Sequence, residues 1–315
     1  MPCSKSSTSF LNLGLLVLVN LMWAAQYPAY KVASRQVGPI AISAWAFLLG
    51  GAVMFPFLLW QRAQAADRTG RAGLSRRTLG QFALLGILGL IPASAFLAWG
   101  TDHSTASNAA LLYLTIPVLT ALLAAILLSE RMTRMRWASL GISLAGVLVI
   151  SMPDWRQQEL GTLRFLAGNL LILLACTSSS FYNVYCKALL KRFSDLEVLV
   201  YGYAAALICS IPLAAWTERS SLSAVAAYSP QTWTSLLVLS VLSWGLAMAL
   251  WMFVLRRIDV TQASLSIYLL PFFGVLISGA VLGEKITASM LAGGAITLLG
   301  TVLATVGDAR ASQTG

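Results

Sequence analysis

The sequence predicts an all-α integral membrane protein, with ten transmembrane helices arranged as two inverted five-helix repeats. Three observations predict it. The chain of 315 residues is 58% hydrophobic and only 10% charged, where a soluble domain carries about 25% charged residues. A soluble protein of this length would need far more polar surface to cover its core. Ten apolar runs are each near the ~20 residues that cross a bilayer as a helix. The second half also repeats chemical landmarks of the first at a spacing of 154 residues.

The first run lies near 10–30, with only Lys5 before it. That basic region is weak for a cleaved signal peptide, so the run is expected to stay as the first span. Asn20, Trp23, Tyr27 and Lys31 are spaced 3, 4 and 4, which puts them on one helical face. The second run is near 39–60, and the longest polar connection follows, from Gln61 to Thr78. Runs three to five lie near 79–100, 107–128 and 134–152. The sixth, near 165–186, leads Cys176, Ser180, Asn183 and Lys187 down one face at spacings of 4, 3 and 4. The seventh is near 196–216; the eighth, near 232–255, aligns Ser240, Trp244, Met248 and Trp251. The ninth and tenth lie near 261–283 and 287–307. Runs four and nine open on Asn108 and Gln262 and continue to Thr115 and Ser266.

Basic residues set the expected orientation. With the N-terminus inside, fifteen Lys and Arg fall on the cytoplasmic side, mostly at 62–77, 131–136, 187–192 and 256–257. Six fall outside: Lys31, Arg35, Arg156, Arg164, Arg219 and Lys285. This positive-inside bias places both termini in the cytoplasm. It also accounts for the net charge of +10 without nucleic acid, for which no soluble basic domain is left over. The four cysteines form no C-x-x-C pair, and His103 is the lone histidine, so no multi-histidine metal site or cofactor is expected. Every acid falls in a loop or at a helix end on this assignment, which weakens a simple proton-relay mechanism.

Sliding the chain by 154 aligns 107–151 with 261–305 without gaps, and 11 of 45 positions are identical. The informative matches are Pro117 with Pro271, Glu130 with Glu284, Thr133 with Thr287 and Gly146 with Gly300. This reads as an internal duplication. Five helices per half is an odd number, so the halves enter the membrane from opposite sides. Each Glu-Thr pair is expected to fasten the turn between two helices by capping the helix that follows; a functional acid is the alternative. The matched prolines suit either kinks at a moving site or packing alone. Gly141, Ala145, Gly146, Gly293, Gly294 and Gly300 mark helices 5 and 10 as close-packing.

The segment "NAALLYLTIPVLTALLAAILLSERMTRMRWASLGISLAGVLVI" and its second copy "QASLSIYLLPFFGVLISGAVLGEKITASMLAGGAITLLGTVLA" resemble the EamA-type module of the drug/metabolite transporter superfamily. That module ends in a proline-bearing helix, a Gly-Glu-Arg/Lys turn and a Gly-rich helix. Gly283 supplies the turn glycine in the second copy, and Ser129 replaces it in the first. "LVNLMWAAQYPAYKVA" is similar to the family's Trp-then-Lys segment, with Ala24 where the family has glycine. The resemblance implies two EamA-like repeats, here 1–153 (helices 1–5) and 154–315 (helices 6–10). It implies a transporter, commonly an exporter of amino acids or other small metabolites.

The expected substrate-binding residues are Asn20, Trp23, Tyr27, Lys31, Asn108, Ser180, Asn183, Trp244, Met248, Trp251, Gln262 and Ser266. Trp and Tyr would hold an apolar side chain while amides and hydroxyls fix a polar head group. The alternative is that the polar groups only bond across helix contacts and the lysines only snorkel at helix ends. The function expected is export of a small amphipathic metabolite, such as an amino acid, by alternating access. An intramembrane enzyme or a non-transporting receptor on the same scaffold are the rivals. The expected partners are a small-molecule substrate and the lipid bilayer, with the chain acting as a monomer in a bacterial inner (plasma) membrane.

Overall fold

The structure, a computed structural model, describes residues 5–65, 75–128, 134–151, 162–219, 223–255 and 266–311. Among these residues the chain is all helical. We number the helices by position. α1 runs Lys5–Ala24 and resumes as Gln26–Ala33 after a break at Ala25. Pro28 has no N–H to give the carbonyl of Ala24, which explains the break. α2 is Pro39–Ala65. α3 joins Arg76–Leu84 to Ile91–His103 through a π-helical stretch, Leu85–Leu90. α4 joins Ala106–Leu112 to Ile116–Leu128 through a 3-10 turn, Tyr113–Thr115. α5 is Arg134–Ser151, α6 Thr162–Leu189 and α7 Asp195–Thr217. α8 runs Pro230–Leu237, turns π-helical over Val238–Ala247 and ends as Met248–Leu255. α9 opens with the 3-10 turn Ser266–Tyr268 and continues Leu269–Leu282; α10 is Ala288–Ala311.

Five of these helices are long and apolar enough to cross a membrane: Pro39–Gln64, Arg76–His103, Leu163–Leu189, Asp195–Thr217 and Pro230–Val254. Shorter apolar helices include Ala106–Thr120, Leu269–Leu282 and Ala288–Gly300. Their outward faces carry Phe55, Phe57, Trp60, Ile208, Trp216 and Phe272, all exposed. Apolar surface on this scale suits a hydrocarbon solvent rather than water. Inside, helix starts are capped as their sequences dictate. Ser75, Thr105, Ser229 and Thr287 each accept a hydrogen bond from the backbone N–H three residues on, and Ser194 with Glu197 forms a full capping box. Gly283, at φ 67°, ends α9 in the left-handed region.

The duplication has a physical counterpart where α5 meets α10. A Cβ on Gly146 would stand 2.5 Å from the backbone N of Thr297 and 2.7 Å from the Gly293 carbonyl. A Cβ on Gly300 would stand 2.7 Å from the backbone N of Ser143 and 2.9 Å from the Ser139 carbonyl. A shift of 154 carries Gly146 to Gly300 and Ser143 to Thr297, so one contact occurs twice with its roles exchanged. Backbone cannot retreat as a flexible side chain can. Gly146→Ala and Gly300→Ala are therefore expected to cost about 1–3 kcal/mol each, read as lower melting temperature and yield in detergent. Gly141→Ala on the same α5, where nothing lies within 4 Å of the added atom, should be neutral; equal losses at all three positions would sink the close-packing account.

Candidate functional site

A cavity lies between helices of the two halves, one of the places where small-molecule sites occur in helix bundles. Helices α1, α3 and α4 of the first half build one side, and α6, α8 and α9 of the second build the other. From α1 come Trp23 and Gln26, from α3 Gly89, Leu90 and Ala93, and from α4 Tyr113 and Ile116. Opposite stand Ser179, Tyr182 and Asn183 on α6, Ser243, Trp244, Met248 and Trp251 on α8, and Ile267 and Leu270 on α9. The 154-residue shift takes Gly89 and Leu90 to Ser243 and Trp244, and Tyr113 and Ile116 to Ile267 and Leu270. The cavity thus sits where the two copies meet, but its walls are chemically unlike. Both π-helical stretches, Leu85–Leu90 and Val238–Ala247, feed residues into it. π segments often mark functional sites because they re-aim side chains within a helix.

No Asp, Glu, Lys, Arg or His is among the described residues lining the cavity. Its aromatic groups are held firmly. Trp23 and Trp251 meet at 5.1 Å between ring centroids. The Trp244 indole N–H donates to the Tyr30 hydroxyl at 2.8 Å, and that hydroxyl lies 2.8 Å from Ser94 Oγ. The Tyr203 hydroxyl donates to the Trp244 carbonyl, and Phe47 packs edge-on against the indole at 5.2 Å. Trp244 is therefore pinned from α1, α2 and α7 together.

One end of the bundle is closed above the cavity. Tyr27 is fully buried and meets Tyr113 edge-on at 5.4 Å. Beyond it, Lys31 Nζ donates to the carbonyls of Thr101 (2.6 Å), Asp102 (2.9 Å) and Ser104 (2.6 Å). A cation on the last carbonyls of α3 satisfies groups that helix geometry leaves free. The Glu284 carboxylate accepts from the backbone N–H groups of Ala106 and Ser107, both at 2.9 Å, and from the Ser107 hydroxyl at 2.6 Å. The α3–α4 turn is thus gripped by a base from α1 and an acid from the α9–α10 turn. Glu218 likewise accepts from the N–H groups of Ile40 (3.1 Å) and Ala41 (2.8 Å) at the start of α2.

Of the residues singled out from sequence, Trp23, Asn183, Trp244, Met248 and Trp251 surround the cavity. Asn20 does not line it: its amide donates to the Leu16 carbonyl at 2.7 Å and to Ser266 Oγ at 2.9 Å, tying α1 to α9. Ser266 is held in the same tie. Tyr27 and Lys31 belong to the closed end. The break at Ala25 is the reason, since spacing of 3, 4 and 4 describes one face only along an unbroken helix. Ser180 donates to the carbonyls of Ile116 (3.2 Å) and Cys176 (2.8 Å), against α4. Asn108 donates to Ser104 Oγ at 3.3 Å. These are cross-helix and local bonds of the bland kind. Glu284 caps α4 of the other half, not α10 as expected; Thr287 alone caps α10. Gln262, Glu130 and Thr133 lie outside the described residues, as does the boundary at 153/154. The reading missed Gln26, Tyr113, Ser179, Tyr182 and Ser243. Gln26 follows a helix break, and Ser243 lies within the π-helical stretch, its hydroxyl donating to the Met22 carbonyl at 3.2 Å.

A helical bundle with a lipid-suited exterior and an uncharged aromatic cavity at the meeting of two repeats is an integral membrane protein with a candidate site in its core. The chain belongs to the EamA-like transporter family, whose model matches twice, over residues 11–152 and 166–306. It is 29% identical over 291 residues to a "Probable terminal-alkyne amino-acid exporter" of Streptantibioticus cattleyicolor, covering 91% of both chains. It is 28% identical to an "Uncharacterized transporter" of Archaeoglobus fulgidus, covering 92% of this chain and 96% of that one. A solved crystal structure superposes with a TM-score of 0.58 at 18% identity, over 94% of this chain and 96% of the other. That likeness bears on the fold alone.

Proposed function

We propose that this protein exports a small amphipathic metabolite, an amino acid or related compound, by alternating access. Ten transmembrane helices form two inverted repeats, 1–153 and 154–315, in a bacterial inner (plasma) membrane, with both termini cytoplasmic. It acts as a monomer, because one chain supplies both walls of the cavity. The observation that carries the reading is the cavity itself: uncharged, walled by indoles and neutral amides, and built jointly by paired helices of the two halves. Rocking of one half against the other would open it to each side in turn. On this orientation Lys31, Glu218 and Glu284 close the outer end. The amino-acid exporter among the relatives supports the cargo class.

The test is efflux from cells making this protein and loaded with a panel of labelled amino acids. At least one compound should leave faster than from cells lacking it, saturably. If none moves, and none is taken up when the gradient is reversed, the transport reading fails for this cargo class.

A further inference from the structure

We infer that Tyr182 is the polar anchor of the cargo: its hydroxyl donates a hydrogen bond to the carboxylate of an amino acid, while the indoles hold the ammonium and the apolar side chain. The inference rests on the cavity being the cargo site. Among the described residues that line the cavity, Tyr182 is the one whose buried polar atom lacks a hydrogen-bond partner. The residue is 3% exposed. A buried hydroxyl without a partner costs free energy, and phenylalanine would fill the same shape without that cost. Gly89 on α3 packs closely against the base of this side chain: a Cβ there would stand 3.3 Å from Tyr182 Cβ and 3.5 Å from its Cα.

The chemistry of the other walls points to a zwitterion. No Lys or Arg lines the described cavity to take a carboxylate, and Lys31 is occupied with three carbonyls at the closed end. A phenol hydroxyl is a strong neutral donor to an anion, and the Asn183 and Gln26 amides share the cavity with it. The Trp244 N–H is already bonded to Tyr30. What its indole offers the cavity is the ring, as do Trp23 and Trp251, and aromatic faces attract an ammonium. The cargo's two charges are thus read by neutral groups. An amine lacking the carboxylate would keep the indole contacts and lose the Tyr182 bond.

The experiment compares purified wild type, Tyr182→Phe and Trp251→Ala in detergent by thermal shift. The probes are L-leucine and L-phenylalanine, each beside its decarboxylated amine, isoamylamine and phenethylamine. Unliganded Tyr182→Phe should melt at or above wild type, because the hydroxyl removed had no partner. Its affinity for both amino acids should fall about tenfold, with affinity for the amines unchanged. A lower melting temperature with amino acids and amines weakened alike would make the hydroxyl a structural group and overturn the anchor. If Trp251→Ala loses amino-acid binding while Tyr182→Phe keeps it, the anchor falls and the cavity reading stands. If neither substitution matters, or wild type binds neither amino acid, both fall.

Discussion

On the proposed orientation, Glu284→Ala should leave the outer end of the bundle unable to stay shut. The substitution strips a carboxylate from two backbone N–H groups and one hydroxyl at the start of α4. Hydrogen bonds to a charged group contribute about 1.5–3 kcal/mol each, and water will replace part of that at a half-exposed site. A net loss of about 2–3 kcal/mol in the outer-closed state shifts the closed-to-open ratio by roughly 30- to 150-fold. The direct reading is labelling of a cysteine placed at Tyr113, in a background without the native cysteines, by a membrane-impermeant maleimide added outside. Labelling should rise strongly in Glu284→Ala, and efflux should drop at least tenfold. Unchanged labelling with normal efflux would mean that the grip on the α3–α4 turn is local fastening and not part of a gate.

Trp251→Ala should weaken cargo binding more than any other single change in the cavity. The ring is 4% exposed, packs against Trp23 at 5.1 Å and forms wall on the α8 side. Truncating a buried aromatic costs about 3–5 kcal/mol where the hole cannot refill. Here the hole joins an existing cavity, so folding should suffer less and binding more. The expected result is a rise in half-saturating cargo concentration of at least tenfold, with Trp251→Phe close to wild type. Trp60→Ala is the control, since Trp60 is 65% exposed on the outer face of α2, and it should leave efflux kinetics unchanged. Equal effects at positions 60 and 251 would remove the cavity from the mechanism.

Much of the fold was legible because its rules are one-dimensional. Apolar run length, capping residues and the positions of prolines depend only on neighbours along the chain. The caps at Ser75, Thr105, Ser194, Ser229 and Thr287 follow such local rules. The repeat was legible for the same reason, since Pro117, Glu130, Thr133 and Gly146 recur at one fixed spacing. The site was only half legible. Of the residues aligned by helical spacing, Trp23, Trp244, Met248 and Trp251 line the cavity. Asn20 and Ser180 bond neighbouring helices instead, and Tyr27 packs against Tyr113 away from the cavity lining.

By itself, then, the sequence determined the membrane class, the repeat and the aromatic character of the interior, because composition and periodicity carry those directly; the family came from the resemblance of the two turn segments. Only the tertiary structure decided which face of each helix meets the cavity. The break at Ala25 and the π turns at Leu85–Leu90 and Val238–Ala247 rotate side chains by amounts no ideal period anticipates. It also decided what Glu284 does. A carboxylate in a turn seeks whatever N–H groups are free nearby. Here they belong to Ala106 and Ser107, 178 and 177 residues away along the chain, a pairing that exists only once the two halves have packed together.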